Sequence, residues 1–243
     1  NDSAIEYPKP SKSLVSEKKI STLFKISILL KFKKLKNLKF FYGDNKKLNF
    51  KDNIFDVTIS QGVIHHTTDM FQSLSEIIRI TKKNGKILLY IYGDYGMKWS
   101  CIKQLRPLVK KIGKNKIVSS MKKNNFKNNK IKHFVDDLFV PVQTQTSLPL
   151  IMEELKKRKV KKIKLLSKKK TFDHESSIDE YIKEFIVLKK IFQKIKDPVS
   201  KLCLKIVKDY LFSIKFIEKL KISKRLKFFY IIGEASHRFE ITK

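Results

Sequence analysis

The stretch from Asn37 to Tyr92 alternates short β-type runs with turns and one helix-period run, and few folds accept that order. Phe40-Phe41-Tyr42 reads as a strand ending at Gly43-Asp44. Phe55 to Ser60 is a continuous apolar run, the pattern of a strand buried on both faces. Thr67, Thr68 and Asp69 are candidate caps for a helix whose stripe is Phe71, Leu74, Ile77, Ile78 and Ile80. Lys82-Lys83-Asn84-Gly85 stops that helix, because cations favour its C-terminal end and Asn or Gly takes a left-handed cap. Lys86 to Tyr92 is the third strand. Strand, loop, strand, helix, strand is the grammar of a parallel α/β sheet. Such sheets bind ligands beyond the carboxyl ends of their strands, where the polar residues after the first two strands fall.

The flanks are compatible with a layered domain. Ser16-Glu17 predicts a helix to about Lys36, packed through Ile20, Leu23, Phe24, Ile28 and Leu35. Trp99 to Gly113 reads as helix despite Pro107, and Lys122 to Lys132 as an exposed loop or helix end. His133 to Val142 is a denser segment ending in an extended, Pro-containing turn. Ser147 and Pro149 start a helix to about Lys159, and Val160 to Leu166 reads as a strand. Ile178 to Phe229 alternates apolar residues with Lys at helical spacing, broken near Asp197-Pro198, and predicts two or three amphipathic helices. Phe229–Ile232 and Phe239–Thr242 read as a closing strand pair around Gly233. The expected division is a sheet core over residues 1–98, with 99–243 adding a helical cap and closing strands to the same domain.

The 243 residues carry a formal net charge of +32, which attracts polyanions by default. The excess is nearly all Lys and is dispersed along the chain. Arg, the better residue for forked phosphate contacts, occurs only at 79, 106, 158, 225 and 238. Nucleic acid is therefore not the favoured partner. Cys101 and Cys203 are too far apart in sequence for metal-ligand spacing, and a reduced, cytoplasmic protein is the default. His65-His66 lacks a Cys, Asp or Glu partner at a useful spacing, so no metal is expected. No apolar run approaches the ~20 residues of a membrane span.

Gly43-Asp44, Leu48-Asn49-Phe50, Phe55-Asp56-Val57, Ser60 to His66 and Lys82 to Leu88 resemble class I S-adenosylmethionine-dependent methyltransferases, in order and with the right gaps. The pattern is that of the broad small-molecule branch, "GDAxxLPF", "FDxVxSxxVLHH" and "LKPGGxLxL". The resemblance implies a Rossmann-like, doubly wound α/β sheet with a helical C-terminal extension, S-adenosylmethionine as cofactor and a small-molecule acceptor. It implies that Asp44 accepts from the adenine amine and that Asn45 meets the ring through its backbone. Ser60, Gln61 and Gly62 would lie beside the cofactor's methionine, and His65 and His66 would face the incoming acceptor. Either histidine would take a proton or only shape the pocket, since methyl transfer needs chiefly alignment. Asp56 reads as an edge or capping carboxylate. His133 to Val142 resembles the family's "DxFxPxxxxxS" run, so Asp136, Asp137, Phe139, Pro141 and Gln143 are acceptor-side candidates. Tyr92, Tyr95 and Trp99, just past the third strand, would wall the pocket or pack the helix behind it.

The family's glycine-rich turn, "GxGxG", has no counterpart before Asn37, where the first glycine is Gly43. The acidic residue that would hold the ribose is also missing ahead of Ser16-Glu17. The expectation is an N-terminally incomplete domain, a fragment, rather than a copy that has lost its cofactor. The rivals are a basic RNA- or polyanion-binding protein and a cofactor-dead scaffold on the same fold. A steep salt dependence of RNA binding would favour the first.

Overall fold

The computed structural model describes residues 39, 41–166, 177–195 and 197–243. The chain divides into two compact units, Asn1–Tyr42 and Gly43–Lys243. The helix expected from Ser16 to Lys36 lies outside the described residues, as does Phe40, and neither Phe41 nor Tyr42 belongs to a strand.

The second unit is built on a four-stranded α/β sheet of the Rossmann-like kind, in the order β1-β2-β4-β3. β1 is Phe55–Gln61, β2 Thr81–Tyr92, β3 Lys162–Leu165 and β4 Ser236–Thr242. β1 and β2 are parallel, in register from Val57 opposite Lys86 to Gln61 opposite Tyr90. β4 runs antiparallel to both β2 and β3. The crossover between the parallel strands is α1, Met70–Ile80, which buries Met70, Leu74, Ile77 and Ile78 beneath the sheet. Asp69 caps it, its carboxylate accepting from the Gln72 amide at 2.9 Å. A buried hydroxyl relay ties its other end to β1. Thr81 Oγ1 donates to the Ile77 carbonyl at 2.7 Å and accepts from Thr58 Oγ1 at 2.7 Å.

The first residues of β2, where the register with β1 shifts between Phe55 and Val57, show why they are what they are. Asn84 sits at φ 63°, the left-handed region that Asn tolerates. At Gly85 a Cβ would lie 2.9 Å from the carbonyl oxygens of both Asp56 and Lys82. The cation at the end of α1 is Lys243 rather than Lys82 or Lys83: its ammonium donates to Arg79 O at 3.0 Å, Thr81 O at 2.8 Å and Asn53 Oδ1 at 2.8 Å. Lys82 instead pairs with Asp56 at 2.8 Å, leaving that carboxylate at the exposed edge.

The remaining helices are α2 (Gly96–Ile112), α3 (Lys114–Lys123), α4 (Asn128–Phe139), α5 (Leu148–Lys157), α6 (Ile178–Lys194), α7 (Pro198–Lys219) and α8 (Lys224–Ile232). α5 joins α1 in the core around the sheet. The other six share a second core centred on Trp99, Leu105, Leu138, Phe192, Val207 and Ile231. Among the described residues no helix is long and apolar enough to cross a membrane.

Three expectations are corrected. β1 is not buried on both faces: Val57 and Ile59, two residues apart and so on one face, are 53 % and 68 % exposed, which leaves that face uncovered. Phe229–Ile232 is the end of α8, whose Ser223 cap accepts from the Leu226 amide at 3.2 Å. Its supposed partner, β4, pairs with β2 and β3 instead. The helix stop expected at Lys82–Gly85 comes earlier: α1 ends at Ile80 with Thr81 in extended conformation as its C-cap, and Lys82–Gly85 belong to β2.

The sheet meets the helical layer where residues 93–96 cross residues 233–235. Gly93 N–H donates to Ala235 O at 3.0 Å and Glu234 N–H to Asp94 O at 2.9 Å. Gly96 and Gly233 lie face to face at φ 81° and 79°, and a Cβ on either would overlap the other segment's backbone.

Candidate active site

β1 ends in a turn shaped to leave space above the sheet. Gly62, at φ 68°, donates its N–H to Tyr90 O at 3.2 Å, and the Tyr90 ring lies 3.7 Å from where a Cβ would be. The chain then makes one 3-10 turn, Ile64–His66. This turn is tied to the 142–146 segment. The Val142 carbonyl meets His66 Nδ1 at 2.9 Å, and Thr144 N–H donates to His65 O at 2.8 Å. A carbonyl only accepts, so Nδ1 of His66 is the donor, and in the neutral ring the lone pair is then on Nε2.

The two histidines have different surroundings. His66 is half-buried, whereas His65 is fully buried between aromatic rings. Its ring centroid lies 4.0 Å from Tyr92 and 4.3 Å from His66, and Tyr92 in turn lies 5.3 Å from Trp99. Burial, with the neighbouring His66, pushes the His65 imidazole down to about 3. It is neutral at physiological pH and a weak proton acceptor. Burial likewise holds the Tyr92 phenol well above its ordinary value.

Several buried polar atoms here have no hydrogen-bond partner among the described residues: Ser60 Oγ, both ring nitrogens of His65, Trp99 Nε1 and Gln143 Nε2. Gln143 sits between the two residues that grip the histidine turn, its Oε1 accepting from Arg106 Nη1 at 2.5 Å. Each orphaned group costs about 1–3 kcal/mol. Their gathering near the carboxyl ends of β1 and β2 suits a polar ligand that would meet them.

The other candidates are placed as follows. Asp44 closes a tight turn, with Oδ1 accepting from Lys46 N–H at 2.9 Å and Oδ2 3.9 Å from the Lys46 ammonium. Its side chain is 60 % exposed, so a carboxylate oxygen remains open to an amine donor. Asn45 is half-buried in the same turn, and Gln61 is exposed at the end of β1. Tyr95 is not part of the histidine cluster. It stacks on Phe229 at 5.9 Å and faces a groove between α2, α7 and α8. Phe139 packs on the helical core. Asp137 is engaged by Lys98, at 3.3 Å, with the ammonium held over the rings of Trp99 and Tyr181 at 4.4 and 4.6 Å. Burial works against that ammonium, but Asp137, Tyr181 and Glu184 outweigh it and keep Lys98 above its ordinary value. Among the described residues no three His, Cys, Asp or Glu could share a metal ion.

Sequence reasoning passed over the clamp that fixes the loop after Asp44. Arg79 pairs with Glu76 through Nε and Nη2, both at 2.8 Å, and donates to Phe50 O at 2.7 Å, Leu48 O at 2.9 Å and Asp52 at 2.7 Å. Glu76 also accepts from Leu48 N–H at 2.8 Å. The signal was the rarity of Arg in a Lys-rich chain. Arg158 does similar work, binding Ser75 Oγ at 2.9 Å and Phe71 O at 3.0 Å.

A family model described as "Methyltransferase domain" matches residues 22–89. That span holds the Asp44 turn, β1, the histidine turn, α1 and most of β2. Residues 22–89 are thus similar to a methyltransferase domain. No curated protein matches the chain in sequence. Among solved structures, a Thermotoga maritima S-adenosylmethionine-dependent methyltransferase, titled a possible histamine N-methyltransferase, is 15 % identical with a TM-score of 0.38, over 57 % of this chain and 53 % of that one. The Bacillus subtilis YcgJ protein is 14 % identical with a TM-score of 0.41, over 89 % and 73 %. A Haemonchus contortus phosphoethanolamine N-methyltransferase, solved with S-adenosylhomocysteine, is 16 % identical with a TM-score of 0.37, over 88 % and 39 %. The chain thus spans about half of the Thermotoga protein and less of the Haemonchus one. Overlaps this loose carry no weight for the site.

The described residues of the matched span fit part of S-adenosylmethionine. The exposed Asp44 carboxylate suits the adenine amine, and the orphaned Ser60 hydroxyl and the Gly62 turn suit the methionine end.

Proposed function

We propose that the chain transfers a methyl group from S-adenosylmethionine to a small acceptor that enters beside the His65–His66 turn. The observation that carries this reading is the gathering of orphaned polar atoms at the carboxyl ends of the parallel strands of a methyltransferase domain. The cofactor supplies an electrophilic sulfonium methyl; the chain supplies alignment. Asp44, Asn45, Ser60, Gln61 and Gly62 hold the cofactor. His66 is the better proton acceptor, because Val142 fixes its Nδ1–H and leaves Nε2 free. His65 serves as wall. It is neutral, buried and stacked, and its unpaired nitrogens offer the acceptor a hydrogen bond. Tyr92 completes that wall, while Tyr95 and Phe139 stand further out. Within Gly43–Lys243, residues 43–98 form the core of this site, with Arg106 and Gln143 bracing the histidine turn.

The test is isothermal titration of S-adenosylmethionine and S-adenosylhomocysteine into the protein expressed from its natural start codon. Binding is expected, and Asp44→Ala should weaken it by about 10- to 100-fold, the worth of a hydrogen bond to a charged group. Absence of binding by the wild type would end the proposal and favour the cofactor-dead scaffold.

A further inference from the structure

A trough of about 450 Å³ runs between α2, α7 and α8, lined by Met97, Phe212, Phe216, Leu220, Ile222 and Tyr230. It shares Met97 and Tyr230 with a second groove of about 540 Å³ that continues to Tyr95 and Phe229. The rings at its lip are far from buried. Phe212 is 74 % exposed and Phe216, one helical turn on, 59 %. Tyr230 and Leu226 are about half exposed beside them. Scattered exposed apolar residues are ordinary, but a contiguous aromatic patch marks a surface that meets something.

The charges around the patch say what. On α7, α8 and their connection, Lys208, Lys215, Lys219, Lys221, Lys224 and Arg225 are exposed, against Asp209 and Glu218. Aromatic rings interleaved with cations match the boundary between headgroups and acyl chains of an anionic bilayer. Tyr230 at the rim has the amphipathic character that favours that depth. We infer that the α7–α8 face docks on anionic membrane surfaces, with Phe212 and Phe216 inserted and the trough taking lipid chains. The inference is independent of the methyl-transfer reading and needs no membrane-spanning helix.

The experiment is co-sedimentation of the whole chain with phosphatidylcholine vesicles, with and without phosphatidylglycerol. Binding is expected only with the anionic lipid and should fail near ~1 M salt, where the Debye length shrinks to about 3 Å. Phe212→Ser/Phe216→Ser should lower affinity by about tenfold or more. Lys215→Glu/Lys219→Glu should lower it on the order of 25-fold, while Lys162→Glu/Lys164→Glu on β3, with the same change in net charge, should lower it far less. Phe212, Phe216, Lys215 and Lys219 are exposed, so far-UV circular dichroism and urea midpoints of their variants should not change. Equal losses from the two lysine pairs would mean that only net charge matters and would overturn the docking face. So would unchanged binding by the phenylalanine pair or no binding by the wild type. Dimers by light scattering that the phenylalanine pair dissolves would assign the face to a second copy instead.

Discussion

His65 should make the protein acid-sensitive in a window where carboxylates are silent. The unfolded chain protonates this histidine below about 6.5. The folded chain resists until about 3. A depressed folded value means the stabilisation is complete above about pH 6.5 and is lost progressively as the pH falls towards 3. Between pH 7 and pH 5 the unfolded state gains about 2 kcal/mol from this one proton. For a chain of this size that is about 4–8 °C in Tm. The perturbation is His65→Phe, which keeps a ring between Tyr92 and His66 and removes both unpaired nitrogens. The assay is urea unfolding of wild type and variant at pH 7 and pH 5. Asp56, Glu76, Glu154, Asp197 and Glu240 are all held below ordinary carboxylate values, so their titration falls beneath the window. The +32 charge is common to both proteins and cancels in the difference. Wild type should lose about 2 kcal/mol more than the variant between the two pH values. Equal losses would show that the imidazole is hydrated or paired and would refute the reasoning.

Three further outcomes follow from the clamps and the turn. Asp137→Asn removes the ion-pair partner of the Lys98 ammonium, leaving Glu184 and Tyr181, and should cost about 1–3 kcal/mol, and Lys98→Met in that background should recover most of it, both read by urea unfolding. Arg79→Met should cost about 2–3 kcal/mol and, by freeing the loop at 48–52, speed tryptic cleavage at Lys46, Lys47 and Lys51, read by limited proteolysis. Gly85→Ala forces a methyl against two carbonyl oxygens and should cost about 1–3 kcal/mol, whereas Gly43→Ala, with open space around it, should be near neutral in the same assay.

The parallel pair and its crossover were legible because their signals are local. Asp69 caps α1 where its own chemistry places it, whereas the helix stops at Thr81, before the Lys82–Gly85 stretch expected to end it. The closing elements were not legible. Phe229 to Ile232 has strand composition, yet the Ser223 cap and packing on α2 and α7 hold it helical. β4 threads between β2 and β3, a pairing more than 140 residues from β2 in sequence that local propensity does not encode. At the site, the His65–His66 turn was readable from its motif. Its grip by Val142 and Thr144 was not, nor was the fate of Asp137, whose charge is spent on Lys98. Four of the five arginines have structural partners among the described residues: Arg79, on α1, holds the 48–52 loop, Arg158 binds α1, Arg106 braces residues 137–143, and Arg238 lies over the Tyr90 ring at 4.9 Å. Sequence alone showed only that they were few.

The crossing of Gly96 over Gly233 makes two distant surfaces answer to one joint. Tyr92 and Trp99, on one side of it, continue the ring stack that buries His65; Tyr95, Met97 and Tyr230, on the other, shape the trough. A side chain at either glycine would wedge the two backbones apart, and once they are apart a second side chain has little left to displace. Damage at the two positions should therefore be sub-additive, with the double alanine variant costing well less than the sum of the singles. Both surfaces should deteriorate together in each.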